Sequence, residues 1–161
     1  MHAMCDTLRL TENKELIEKW ILGETGFPFL DACIQYLRKY GWINFRMRAM
    51  IMSFASYNLW QPWQITSPLL AELFVDYEPG IHISQVQMQS GVTGINLPRI
   101  YSVLKQSIDQ DPEAKFILEE FPQLKFENIE AVSYTHLRAH ETPEHRVWPG
   151  RRGKKKGGGG G

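Results

Sequence analysis

The run INFRMRAMIMSFASYNLW, residues 43–60, is apolar on nearly every side of a helix. A helix without a broad polar face cannot rest on one flat surface, so it must be packed among other helices. The rest of the chain supplies those partners. Thr11 reads as the N-cap of a helix through ENKELIEKWIL that ends at Gly23. After the turn TGFP, Pro28 suits the first position of a second helix. That helix carries Phe29, Cys33, Tyr36 and Leu37 on one face and stops at Gly41. Pro62 ends the buried helix, and a further helix is expected from Pro68 to about residue 75. Asp111 and Pro112 cap and start a last one, PEAKFILEEF. Between them, YEPGIHISQVQMQSGVTGINLPR reads as one long irregular loop, which inside a helical domain is usually functional. No strand alternation and no internal repeat is visible, so the fold expected is an all-α, bundle-like domain.

Composition fits a chain that buries a core, with 43% hydrophobic, 12% aromatic and 22% charged residues. No run approaches the roughly 18 apolar residues of a transmembrane helix, so no membrane span is expected. The N-terminus lacks the basic and apolar regions of a secretory signal. The two cysteines, Cys5 and Cys33, have no metal-ligand spacing and point to a reducing, cytoplasmic setting. The net charge of zero hides an asymmetry. Residues 132–161 hold seven Lys/Arg and two acids, which leaves 11 basic and 16 acidic residues before them. Any contact of the body with nucleic acid must therefore come from a local basic patch.

From about Val132 all periodicity stops. SYTHLRAHET resembles translated sequencing-adapter read-through, and the glycine run after RRGKKK fits the same origin. The division expected is a domain over residues 1–131 and a disordered, basic, glycine-rich tail of artefactual origin over 132–161. His136, His140 and His145 in that tail lack the Cys or acidic neighbours of a metal centre, and no metal site is assigned.

Within the body, Arg46 and Arg48 interrupt the apolar helix. A buried guanidinium needs a carboxylate, and stranding one costs about 3–5 kcal/mol. Asp76 and Glu78 in the stretch DYE are the nearest acids downstream. The pair makes either a structural salt bridge or a charged floor for a polar cofactor ring. His82 is the one histidine in the interior of the body, and a lone histidine is more often hydrogen-bonded than catalytic. Gln85, Gln87 and Gln89 either line a polar pocket or solvate a loop.

TGFPFLDA, GWINFRMR, SFASYNLW with Trp63 after it, DYEPG and RIYSVLKQ resemble, in order and spacing, the helical flavin-binding domain of the photolyase/cryptochrome family. The resemblance covers about a hundred residues in several separate motifs. It implies an all-helical FAD cradle, damaged DNA as partner, and a protein that is monomeric when complete. It also implies that this chain is a fragment, without the α/β antenna domain and the early part of the cradle, so that alone it does not enclose FAD. By position, Arg48 and Asp76 match the charge pair beside the isoalloxazine ring, and Glu78 matches an acid at the ring edge. Arg46 and Arg99 match basic residues facing DNA phosphate, and Trp63 matches the middle member of the electron-relay tryptophans.

Other positions depart from the pattern. His82 stands at the catalytic position facing the reactive flavin nitrogen, where photolyases carry Asn and cryptochromes Asp. Phe45 replaces an Asn beside flavin and lesion, and Met88 replaces a tryptophan near the lesion. Val86 stands at the tryptophan nearest the flavin, and Leu10 near the outermost one, so the usual relay is broken. QVQMQSGVTGIN reads as a distinct bacterial branch. The function expected is that of a light-driven, FAD-dependent DNA photolyase repairing pyrimidine photoproducts. The alternative is a cryptochrome-type blue-light photoreceptor that binds FAD without repair. Arg46 and Arg99 favour the first; Val86, Phe45 and Met88 favour the second.

Overall fold

The computed structural model describes residues 9–93 and 100–124. Among these are seven α-helices, one π-helical turn and no strand. Helix α1 (Lys14–Leu22) is capped by Asn13, whose side chain accepts from Leu16 N. Thr11, the expected cap, lies outside it; the oxygen that reaches the first turn is the one two residues later. Gly23 ends α1 at φ 70°, a conformation that costs glycine little. Helix α2 (Pro28–Tyr40) begins with proline at its first position, as its sequence requires. The TGFP turn before it is held by the Asp31 carboxylate, which accepts from Thr25 N at 2.9 Å, Thr25 Oγ1 at 2.6 Å and Gly26 N at 2.9 Å.

Helix α3 (Phe45–Ser53) is capped by Asn44 and is buried over Ala49 to Ser53, with Met47 buried one turn earlier. It packs between α2 and a later helix, α5 (Pro79–Gln89). The buried run does not stay α-helical to Pro62. It opens into a π-helical turn over Phe54–Asn58, where Leu59 N reaches back five residues to Phe54 O at 3.1 Å. Trp60 then takes φ 56°. Gln61 holds this corner, accepting from Asn13 N at 2.8 Å and donating to Leu59 O at 2.6 Å.

Helix α4 (Trp63–Ala71) corrects the expected start at Pro68, which lies inside the helix instead. The proline removes one ladder bond, and packing of Leu70 and Thr66 against the core outweighs that loss. The larger correction concerns the expected long loop. Pro79–Gln89 is helix α5, capped by the Glu78 carboxylate on Ile81 N at 2.8 Å. Its core face is His82, Val86 and Gln89, spaced as a helix requires but polar at two of three positions.

Helix α6 (Val103–Gln110) is capped by Ser102. Helix α7 (Lys115–Glu120) begins three residues after Pro112. Asp111 still supplies the cap, since its carboxylate accepts from Phe116 N and Ile117 N, both at 3.1 Å. One core unites these elements, with Trp20, Leu30, Leu37, Met50, Ile51, Phe54, Leu70 and Ile117 almost fully buried. No helix among the described residues is long and apolar enough to cross a membrane.

Candidate functional site

Three segments converge on a cavity of about 310 Å³. The α2–α3 link and α3 give it Trp42, Phe45, Arg48 and Met52. The stretch after α4 gives Phe74, Asp76 and Tyr77. Helix α5, with its cap, gives Glu78, Ile81, His82 and Gln85. Those four are one face of a helix, at spacings of three, four and seven. Most of the wall is apolar or aromatic and the polar groups are few, as in small-molecule sites.

The acidic stretch is pinned by a close backbone approach. Val75 N donates to Gly41 O at 2.9 Å. A Cβ on Gly41 would lie 2.4 Å from Val75 Cγ1, and its φ is 71°, so only glycine fits there. This contact sets Asp76 beside α3. Arg48 Nη2 donates to both Asp76 oxygens, at 2.9 and 2.7 Å. Arg48 Nε donates to Ile43 O at 2.9 Å. The guanidinium also lies over the Phe74 ring, 4.1 Å from its centroid. The pairing expected from the apolar helix is therefore present, but not the burial. The side chains are 20% and 45% exposed, so the ion pair contributes roughly 1 kcal/mol or less to stability. The larger penalty expected for a buried pair does not apply.

His82 is buried, 7% exposed, between the edges of Phe74 and Tyr77, at centroid distances of 5.9 and 5.4 Å. Its Nε2 lies 2.9 Å from Ser67 O. A carbonyl only accepts, so Nε2 carries the hydrogen and Nδ1 is the acceptor. Burial lowers the ring's pKa; the Ser67 carbonyl opposes this and the Arg48 charge adds to it. A depressed folded pKa means the unfolded chain takes up the proton first as pH falls. His82 therefore contributes stability that is complete above the ordinary value near 6.5 and lost below it. Urea midpoints from about pH 7 to about pH 5 should fall less steeply in His82→Phe than in the parent. Parallel slopes would show that His82 is not the group responsible.

All five residues matched to the cofactor, Phe45, Arg48, Asp76, Glu78 and His82, thus line one cavity. The others lie elsewhere. Arg46 is exposed on α3 and outside the cavity wall. Met88 is half-buried on α5, and Trp63 half-buried against the core at the start of α4; neither lines the cavity. Arg99 and the tail histidines lie outside the described residues. Val86 is 2% exposed in the core. Trp42, Phe74 and Tyr77 are lining residues that had no site role in sequence; of the three glutamines read as pocket or loop, Gln85 lines the cavity and Gln87 and Gln89 do not.

Residues 1–151 match the family model described as the FAD binding domain of DNA photolyase. The chain is 29% identical over 119 residues to the deoxyribodipyrimidine photo-lyase of Alkalihalophilus pseudofirmus, covering 73% of this chain and 25% of that protein. It is 29% identical over 114 residues to the cryptochrome DASH of Gloeobacter violaceus, covering 70% and 23%. Thus it spans about a quarter of the length of these relatives. An archaeal photolyase from Sulfolobus tokodaii, solved with two FAD molecules, superposes with a TM-score of 0.76 at 29% identity, over 83% of this chain and 31% of that one. A Synechocystis cryptochrome shares the fold, with a TM-score of 0.72 at 23% identity over 81% and 27%. With a helical fold and a matched span that takes in every described residue, the chain belongs to the family of the FAD-binding domain of DNA photolyase.

Proposed function

We propose that the cavity holds the isoalloxazine ring of FAD, and that the protein is a light-driven photolyase acting on pyrimidine photoproducts in DNA. The observation that carries this is the Arg48–Asp76 pair on the wall of an aromatic cavity, with buried His82 beside it. The volume and the aromatic lining suit a flat ring. Bound flavin would supply the light absorption and the electron that the side chains lack. The chain's own part is to seat the ring between Trp42, Phe74 and Tyr77, to fix its polar edge, and to keep His82 uncharged. Exposed Arg46, with Arg99, would meet DNA phosphate.

A second reading is a blue-light photoreceptor. Phe45, 58% exposed at the cavity, favours it, because an apolar ring there offers no hydrogen bond to a flipped base. Repair of a dimer-containing oligonucleotide separates the two readings. With excess FAD, reductant and blue light, a photolyase shows light-dependent loss of dimers that weakens in Arg46→Ala. Flavin binding without dimer loss would leave the photoreceptor reading. Absence of binding by the bare flavin ring, lumiflavin, which does not need the rest of an FAD cradle, would reject the cavity as the site.

A further inference from the structure

A second cavity, of about 340 Å³, shares Trp42 and Ile43 with the first and otherwise has its own wall. Helix α2 gives it Phe29, Cys33 and Tyr36, at helical spacings of four and three, and α7 brings Phe116. Phe116 meets Phe29 and Tyr36 edge to face, at centroid distances of 6.2 and 5.7 Å. An edge-to-face contact covers at most one ring face of each pair, and Trp42 is half-exposed, so aromatic faces remain open to a ligand. Among the described residues, Asp111 is the one charged group of this wall, and it makes no ion pair. Its charge reaches into the wall, since burial and then the Asp111 carboxylate push the Cys33 thiol's pKa up.

A carboxylate beside electron-rich ring faces attracts cations and repels anions. The same wall is poor in free acceptors. The Asp111 oxygens accept from Phe116 N and Ile117 N, both at 3.1 Å, and Asn44 Oδ1 accepts from Met47 N at 3.0 Å. A primary ammonium would bring three N–H donors and give up its strong hydration for too few partners. A quaternary ammonium brings no N–H and is held by ring faces and a counter-charge alone. We propose that this cavity is a binding site for a quaternary ammonium cation, seated against Tyr36, Trp42 and Phe116 with Asp111 as its counter-ion. The site does not depend on the flavin reading, because Arg48, Asp76 and His82 are not in its wall.

The test is a titration of the full chain with choline and with dimethylbutanol, the isostere in which carbon replaces the charged nitrogen. Binding is read from the Trp42 indole N–H resonance, identified by its loss in Trp42→Phe. Choline should bind about tenfold tighter than dimethylbutanol. Asp111→Asn keeps an oxygen for the α7 cap and should reduce that preference to about twofold or less. Tyr36→Leu removes a ring without touching the cap and should weaken choline binding about fivefold. Equal binding of the two compounds, no binding of choline, or a choline affinity unchanged in a variant that keeps the parent's helical circular dichroism would overturn the proposal.

Discussion

Exchange of Arg48 for alanine is expected to weaken flavin-ring binding far more than any other single change in the cavity, and to loosen its wall. One side chain joins three segments there. Its Nε bonds Ile43 O at the α2–α3 link, its Nη2 bonds both Asp76 oxygens, and its plane covers Phe74. The ion pair is half-exposed and contributes little alone. The bond to the Ile43 carbonyl and the stack on Phe74 are each in the range of about 1–2 kcal/mol. The sum expected from urea unfolding is about 2–3 kcal/mol. Loss of the charge and of the wall together should lower lumiflavin affinity by more than roughly tenfold. Asp76→Asn keeps an oxygen in place and should cost only a fewfold loss. If Arg48→Ala binds the ring as the parent does, the cavity is not built around this guanidinium. If Asp76→Asn is the more damaging change, the carboxylate is what the ligand uses.

That pair was legible in sequence because it rests on a strong demand. A charge inside an apolar helix needs a partner, and the next acids along the chain are in DYE. The same reasoning could not give its exposure, since Trp42 and Phe45 beside it are themselves half-exposed. Helix α5 was missed for a physical reason. Its core positions include His82 and Gln89, so the apolar period that marks a helix is carried by Val86 alone. The start of α4 gives no polar cap either, because Pro62 stands at the N-cap, whereas Pro68 looks like a beginning and is not one. Asp111 was the converse case: the acceptor was correctly identified, and the helix it caps begins further on. The glutamine alternation leaves Gln85, Gln87 and Gln89 equivalent as pocket candidates, because a loop singles out none of them; the helical face from Glu78 selects Gln85 alone.

Blue-light reduction of bound flavin should depend on Trp42 and hardly at all on Trp63. Valine cannot serve as an electron donor, so the position that the family resemblance assigns to the innermost relay tryptophan offers no route. Trp63 does not line the cavity, and transfer slows steeply with distance. Of the remaining aromatics, Trp60 and Tyr57 share an obstacle. The buried guanidinium of Arg9 lies 4.5 Å from the Trp60 centroid and 5.0 Å from that of Tyr57. A positive charge at that distance opposes formation of a second one by about 4 kcal/mol at an effective dielectric of 20. Trp42 stands in the cavity wall, with Tyr77 facing the same space. The measurement is the rate at which the flavin's blue absorption bleaches under illumination without added reductant. Trp42→Phe should slow it on the order of tenfold or more, a barrier change above about 1.4 kcal/mol, while Trp63→Phe leaves it nearly unchanged. Installing a tryptophan at position 86 is a poor way to restore the relay, because Val86 is 2% exposed in the core. Overpacking there is expected to cost about 1–3 kcal/mol before any gain in transfer. Bleaching that survives Trp42→Phe and is lost in Trp63→Phe would mean that electrons reach the ring through the core side, and that Val86 is bridged.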